Sequence, residues 1–295
     1  MELRHLRYFV AVAEELHFGR AAMRLSIVQP SLSQQIQQLE EELGFPLLRR
    51  TKRSVELTDA GKVFLSEARQ ILAQVQNAKR AAQRAYRGEE GRLVLGYISS
   101  SAFDLLPVIL CAYRERFPQV EVTLREMTTQ DQVRALEEDR IQAGLLRLPI
   151  STPLVDVEVL RREPMVCVLP EDHPLASRER IAVSLLAHEP FVLQSRQFGG
   201  GYYVQLMKLC LAFGFSPHVV QEVTEMYTIV GLVAAGIGIS LVPLSTRNIR
   251  SQGVVYRELE GTAALTEIAV AWQRNVHSAI VNNFLMVAKE TAELL

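Results

Sequence analysis

The side chains with the most chemical potential fall into three groups. Gln29, Ser31, Ser33, Gln34 and Gln37 set amide and hydroxyl groups at close spacing around Pro30. Such groups hydrogen-bond base edges and phosphate oxygens, although a polar helix face is equally what solvent selects. Arg49, Arg50, Lys52 and Arg53 then form a burst of cations suited to phosphates or a minor groove, or to a solvated face. Farther on, Ser99, Ser100 and Ser101, followed by Thr128 and Thr129 and by Arg147, combine hydroxyls with a guanidinium, a set that could hold a carboxylate. Each has a plainer reading: Ser and Thr cap helices, and Arg147 could serve a structural ion pair.

Regular elements must position these groups. Leu6, Phe9, Val10 and Ala13 share one face of an opening helix over residues 3–16. Ala21, Ala22 and Leu25 continue the helical period, residues 26–29 break it, and Leu32, Ile36, Leu39 and Leu43 resume it until Gly44. This predicts a helix-turn-helix with Pro30 in the first turn of its second helix. Residues 47–58 alternate loosely and predict a hairpin carrying the cations. Thr58 and Asp59 supply the N-cap of a long helix ending near Gly88. Along it Phe64, Ala68, Ile71, Val75, Ala78, Ala82 and Ala85 step by four and three, a heptad seam that reads as a dimer contact, the alternative being packing within its own domain. From Arg92 onward, apolar strands at 93–97, 120–124, 144–148, 166–169 and 191–193 alternate with amphipathic helices such as 105–117 and 130–139, the pattern of βαβ units on parallel sheets. Ser99, Ser100, Thr129 and Arg147 then fall near strand ends, where open α/β sheets place binding crevices. Leu105, Leu106, Phe198, Tyr202, Tyr203 and Ile268 are candidate apolar walls.

The run A-A-x-x-L-x-x-x-Q-P-x-x-S-x-x-I-x-x-L-E-x-x-L-G-x-x-L-x-x-R is filled by Ala21, Ala22, Leu25, Gln29, Pro30, Ser33, Ile36, Leu39, Glu40, Leu43, Gly44, Leu47 and Arg50. It resembles the N-terminal signature of LysR-type transcriptional regulators, and the rest of the chain is most similar to the branch that controls aromatic catabolism in response to benzoate or muconate. The resemblance implies an α/β protein in three parts: a winged helix-turn-helix domain at 1–58, a linker helix for dimerisation at 59–88, and a two-lobed effector domain at 91–295, built like periplasmic binding proteins. Lobe I would comprise 91–161 and 268–295, lobe II 162–267, with the chain crossing near Arg161 and Ile268. It implies DNA contacts from Gln29, Pro30, Ser31, Ser33, Gln34, Gln37, Arg50 and Arg53, with Gln34 standing where relatives often carry Arg. It also implies an effector site containing Ser99, Ser100, Thr129, Arg147, Phe198, Tyr202, Tyr203 and Ile268. Pro149 stands where some members have Lys. Arg161, Glu163 and Glu225 resemble part of a second benzoate site in which Thr224 replaces an Arg. The implied partners are double-stranded promoter DNA, a small carboxylate, further copies of the chain as homodimer and homotetramer, and RNA polymerase. The implied role is that of an activator able to repress its own gene, and a LysR regulator of another pathway is the alternative.

Composition fits this reading. The chain has 295 residues, 48% of them hydrophobic, enough for about two domains. Residues 1–90 carry 14 Lys and Arg against 11 Asp and Glu, the remainder 18 against 22, so a mildly basic head precedes an acidic body. Cys111, Cys167 and Cys210 lie far apart and read as small core residues in a reducing compartment. The six His lack ligand spacing, and neither a metal nor a cofactor is expected. The charged N-terminus offers no apolar signal segment, so the cytoplasm is the expected location. Residues 226–246 carry no charge, but Gly236, Gly238 and Pro243 interrupt them, which predicts a buried helix, turn and strand instead of a membrane span. No G-x-S-x-G elbow accompanies the serines, which argues against a hydrolase. A solute-binding protein is a closer rival for residues 91–295, and the helix-turn-helix argues against it.

Overall fold

The computed structural model describes residues 1–51, 54–249, 252–275 and 278–295. Its contacts divide the chain into a unit of residues 1–84 and a unit of residues 85–295.

In the first unit α1 (Leu3–Glu15), α2 (Phe18–Arg24) and α3 (Gln29–Leu43) bury Leu6, Phe9, Ala21, Leu32, Ile36 and Leu39 in one core. The apolar periodicity forms this core, since the residues spaced three and four apart are the buried ones. His17 caps α2, its Nδ1 accepting from the Arg20 N–H at 3.2 Å. Gly44 ends α3 at φ 80°, a left-handed cap that an L side chain resists. A hairpin follows, β1 (Leu48–Arg50) antiparallel to β2 (Val55–Leu57). Next comes α4 (Asp59–Tyr86), whose first turn is closed by the Gly61 N–H donating to Thr58 Oγ1 at 2.9 Å. Gly61 lets α4 pass the hairpin: a Cβ there would lie 2.1 Å from the Leu47 carbonyl oxygen. The seam is shared between two environments. Phe64 and Ala68 pack into the core of their own unit, Phe64 against Phe9 at 5.3 Å between ring centroids, whereas Ile71 is 40% exposed and Ala78, Ala82 and Ala85 face solvent in the single chain.

The second unit opens with β3 (Glu90–Tyr97), a short 3-10 turn at Ser99–Phe103, α5 (Leu105–Arg116), β4 (Gln119–Glu126), α6 (Thr129–Glu137) and β5 (Ala143–Arg147). Here β3 lies parallel to both β4 and β5, the expected βαβ arrangement. The sheet as a whole is mixed, which corrects the expectation of parallel sheets. β6 (Val155–Pro170) and β12 (Leu265–Gln273) run antiparallel to each other, and β12 is also antiparallel to β5. β12 comes from the far end of the sequence and needs no crossover helix to enter the sheet.

The long β6 serves two layers of structure. Val155–Pro164 pairs with β12, and Met165–Pro170 with β10 (Ser240–Pro243) and β11 (Val254–Glu260). The change of partners falls at Pro164 and Met165, slightly beyond Arg161. β7 (Arg180–Ala182) extends this end parallel to β11. Around it lie β8 (Pro190–Gln194), α7 (Arg196–Ala212), β9 (His218–Val223) and α8 (Met226–Ala234), with β8 parallel to β9. α9 (Ala279–Ala292) returns to pack beside α5 and β3. The uncharged stretch forms α8, which buries Met226, Ile229, Val230 and Val233 on one face, and the fully buried β10, and no described helix is long and apolar enough to cross a membrane. Cys167 and Cys210 are buried, as expected of core residues, but Cys111 is exposed on α5, because the apolar face there is made by Leu105, Leu106, Ile109 and Tyr113.

Candidate functional sites

The polar face expected to read DNA is built by α3. Its first residues, Gln29, Pro30 and Ser31, are exposed, as are Gln34 and Gln37, while Ser33 is half-buried. Pro30 sits in the first turn, where its lack of an N–H costs nothing. Gln37 Nε2 donates to Glu41 Oε1 at 2.9 Å, leaving Gln29 and Gln34 farther toward the helix start. Behind this face, the Glu2 N–H donates to His5 Nδ1, so the other ring nitrogen carries the proton and donates to Gln35 Oε1 at 3.0 Å, which ties α1 to α3.

Arg50, expected among the DNA contacts, is already engaged. Its Nη2 meets Glu40 Oε2 at 2.8 Å, its Nη1 donates to Ser33 Oγ at 3.4 Å, and its guanidinium lies 4.9 Å from the centroid of Phe18. Glu40 Oε1 accepts from the N–H groups of Leu47 and Leu48 at 2.8 and 2.9 Å. One carboxylate thus fixes the hairpin to α3 with three hydrogen bonds. Arg49 is exposed and faces Glu56 across the hairpin, and Lys52 and Arg53 lie outside the described residues.

The second site is a small cleft of about 40 Å³ at the ends of β3, β4 and β5. Ser99, Ser100, Thr128, Thr129 and Arg147 line it, with Phe198 and Tyr202 from α7. Arg147 lies at its base. Its Nη1 donates to Glu163 Oε1 at 3.1 Å and to Thr266 Oγ1 at 3.0 Å, and its Nη2 to Ser100 Oγ and Glu163 Oε1, each at 3.2 Å. The backbone N–H of Arg147 donates to Thr129 Oγ1 at 3.2 Å. Ser100 and Thr129 therefore accept from Arg147 and keep their own protons for another acceptor. Thr128 is committed to capping α6, accepting from the Asp131 N–H at 3.2 Å. Tyr202 donates to the Leu241 carbonyl at 2.7 Å, and burial pushes its phenol pKa far above the usual range.

Tyr203 and Ile268, expected as cleft walls, do not line it. Ile268 is fully buried in the core under α5 and α9, because alternate residues of β12 face opposite sides of the sheet. Tyr203 follows Tyr202 around α7 and packs on the core of β6, β8 and α8. Leu105 and Leu106 are likewise core residues. The apolar lining comes instead from Ile98, Met127, Phe198, Tyr202 and Met226. Glu126 and Gln194 also line the cleft and were not anticipated, although both end strands beside it. Glu225 lines this cleft, while Arg161 pairs with Asp104 at a separate groove. Among the described residues no group of three or more His, Cys, Asp or Glu is arranged to hold a metal ion.

A helix-turn-helix unit and a unit with a polar cleft in one chain define a ligand-responsive DNA-binding protein. Residues 3–62 match the bacterial regulatory helix-turn-helix model of the lysR family, and residues 86–293 match the LysR substrate binding domain. The chain belongs to the LysR family of transcriptional regulators. It is 42% identical to the HTH-type transcriptional regulator AlsR of Bacillus subtilis (strain 168), over 98% of this chain and 95% of that protein. It is 43% identical to the uncharacterized HTH-type transcriptional regulator YnfL of Escherichia coli (strain K12), over 93% of each. The fold matches that of full-length CbnR crystallised with its target DNA, at TM-score 0.84 and 28% identity, covering 99% of this chain and 100% of that one. These relatives are transcriptional regulators, not enzymes.

Proposed function

We propose that the protein is a cytoplasmic regulator of a catabolic operon, reading promoter DNA through Gln29, Pro30, Ser31, Ser33, Gln34 and Gln37 and sensing a small carboxylate. The observation that carries the sensing role is the pair of hydroxyls, Ser100 and Thr129, whose acceptor sites Arg147 fills and whose protons are left to an anion. The DNA role gains support from the exposed amides of α3 and from the solved CbnR complex with its target DNA. Closure of the cleft on the anion shifts the balance between two arrangements of the effector unit, with no covalent step. The protein acts as an activator that also represses its own gene, working with RNA polymerase.

The active form is a homodimer joined through α4 and paired into a homotetramer. The seam residues Ile71, Ala78, Ala82 and Ala85, exposed in the single chain along a 28-residue helix, support this. Ile71→Asp with Val75→Asp lowers the sedimenting mass; an unchanged mass removes the seam from the account.

Calorimetric titration of the full chain with benzoate, glucose and a cationic amine tests the effector. Binding of the carboxylate, weakened at least tenfold by Ser100→Ala, is the expected result. Preference for glucose contradicts it. In gel retardation Gln29→Ala loses discrimination between operator variants by about 1 to 3 kcal/mol per good base contact.

A further inference from the structure

We infer that the cleft takes a carboxylate that also carries a hydrogen-bond donor, an ammonium or hydroxyl group, and that it refuses a dicarboxylate. This rests on the reading of the cleft as the effector site and adds the class of carboxylate that fits.

The argument is one of charge. Arg147 is the only Lys or Arg among the described residues that line the cleft, and Glu163 already neutralises it. Two further carboxylates, Glu126 and Glu225, share the lining. Glu126 ends β4, paired with Tyr97 of β3. Glu225 precedes α8 and makes no side-chain capping bond to that helix. Counting Arg147, Glu163, Glu126 and Glu225, one charge is positive and three are negative.

The two ends of a ligand meet different chemistry. One carboxylate is served by the hydroxyl protons of Ser100 and Thr129 and by the first-turn N–H groups of α6, without needing an unpaired cation. A second carboxylate in the same small cleft would face Glu126 and Glu225, with no further guanidinium among the described lining residues to answer it. Like charges set against each other exclude a partner more strongly than neutral contacts do. A hydroxyl satisfies one of these acceptors, and an ammonium also offsets the charge. Muconate is therefore the wrong kind of acid, and a hydroxylated or aminated monocarboxylate the right kind.

Four acids of one length separate the possibilities: butanoate, 4-hydroxybutanoate, 4-aminobutanoate and butanedioate, titrated calorimetrically into the full chain. The two donor-bearing acids should bind at least tenfold more tightly than butanedioate. Glu225→Gln should narrow that ratio to below threefold, and Glu126→Gln, on an exposed strand position, should move it in the same direction. Ser100→Ala should weaken all four acids alike. Butanedioate binding as tightly as 4-aminobutanoate, or a ratio unmoved in both Glu variants, overturns the inference while leaving an anion site in place. Failure of all four acids to bind overturns the effector reading and this inference together.

Discussion

Arg147 and Glu163 form an ion pair 3.1 Å apart with only 5% of each side chain exposed. Ser245 completes the carboxylate's shell, its N–H donating to Oε2 at 2.7 Å and its hydroxyl to Oε1 at 3.1 Å. Removing one partner of such a pair strands the other charge away from water. Arg147→Ala should therefore destabilise the second unit by about 3 to 5 kcal/mol, and pairing it with Glu163→Leu should recover part of the loss. Urea denaturation followed through Trp272, the single tryptophan, reads both effects. A stable Arg147→Ala protein would show that the pair contributes little. Ser100→Ala is accordingly the cleaner probe of ligand binding.

Glu40 gives the hairpin its position. Glu40→Gln replaces a carboxylate that accepts from Leu47, Leu48 and Arg50 with an amide that can serve only part of that set. The expected cost is about 1.5 to 3 kcal/mol, the worth of hydrogen bonds to a charged group. Operator affinity should fall while calorimetric binding of acids to the cleft stays as in the parent. Unchanged operator affinity would remove Glu40 from the DNA-binding account.

Much of the first unit was legible because a single period runs through it: Leu32, Ile36 and Leu39 recur at helical spacing and are all fully buried. The cleft was legible in part, because strand ends are punctuated by Ser and Thr, so Ser99, Ser100, Thr129 and Arg147 could be grouped before their contacts were known. What one strand's pattern cannot reveal is which face a neighbour covers. Ile268 looked available for a ligand until α5 and α9 were seen to close over it. Nothing in the sequence sets Glu126 apart from other strand-end carboxylates, and it lines the cleft together with Phe198 and Tyr202 of α7 and Met226 of α8. The antiparallel β12 was likewise hidden, because its partners β5 and β6 lie more than ninety residues earlier in the chain.

The three cysteines should react very differently. Cys111 is exposed on α5, whereas Cys167 and Cys210 are fully buried. Burial pushes the Cys210 thiol up to about 11 and the Cys167 thiol higher still, so both remain protonated and inert near neutral pH. A disulfide reagent at pH 7.5 should titrate one thiol rapidly in the native protein and the other two only after denaturation. Cys111→Ser should abolish the fast phase; a fast phase that survives would mean that the cores of the second unit open readily.

Glu14 links α1 to both α2 and α4, accepting from Arg24 Nη1 and from Arg69 Nη2, each at 2.7 Å. The bonds from Arg69 and then Arg24 hold its carboxyl below the ordinary value of 4.5. A depressed carboxyl stabilises the fold above its unfolded-state pKa, and that contribution disappears as pH falls through the folded value. Both guanidinium groups are more than half exposed, so solvent screening reduces the effect to about 0.5 kcal/mol. In calorimetric melts Glu14→Gln should lower the transition of the first unit by a degree or two at pH 7. The gap should close as pH drops through the acid range, and it should shrink with added salt. A difference that persists unchanged at low pH would mean that Glu14 acts through packing and not through its charge.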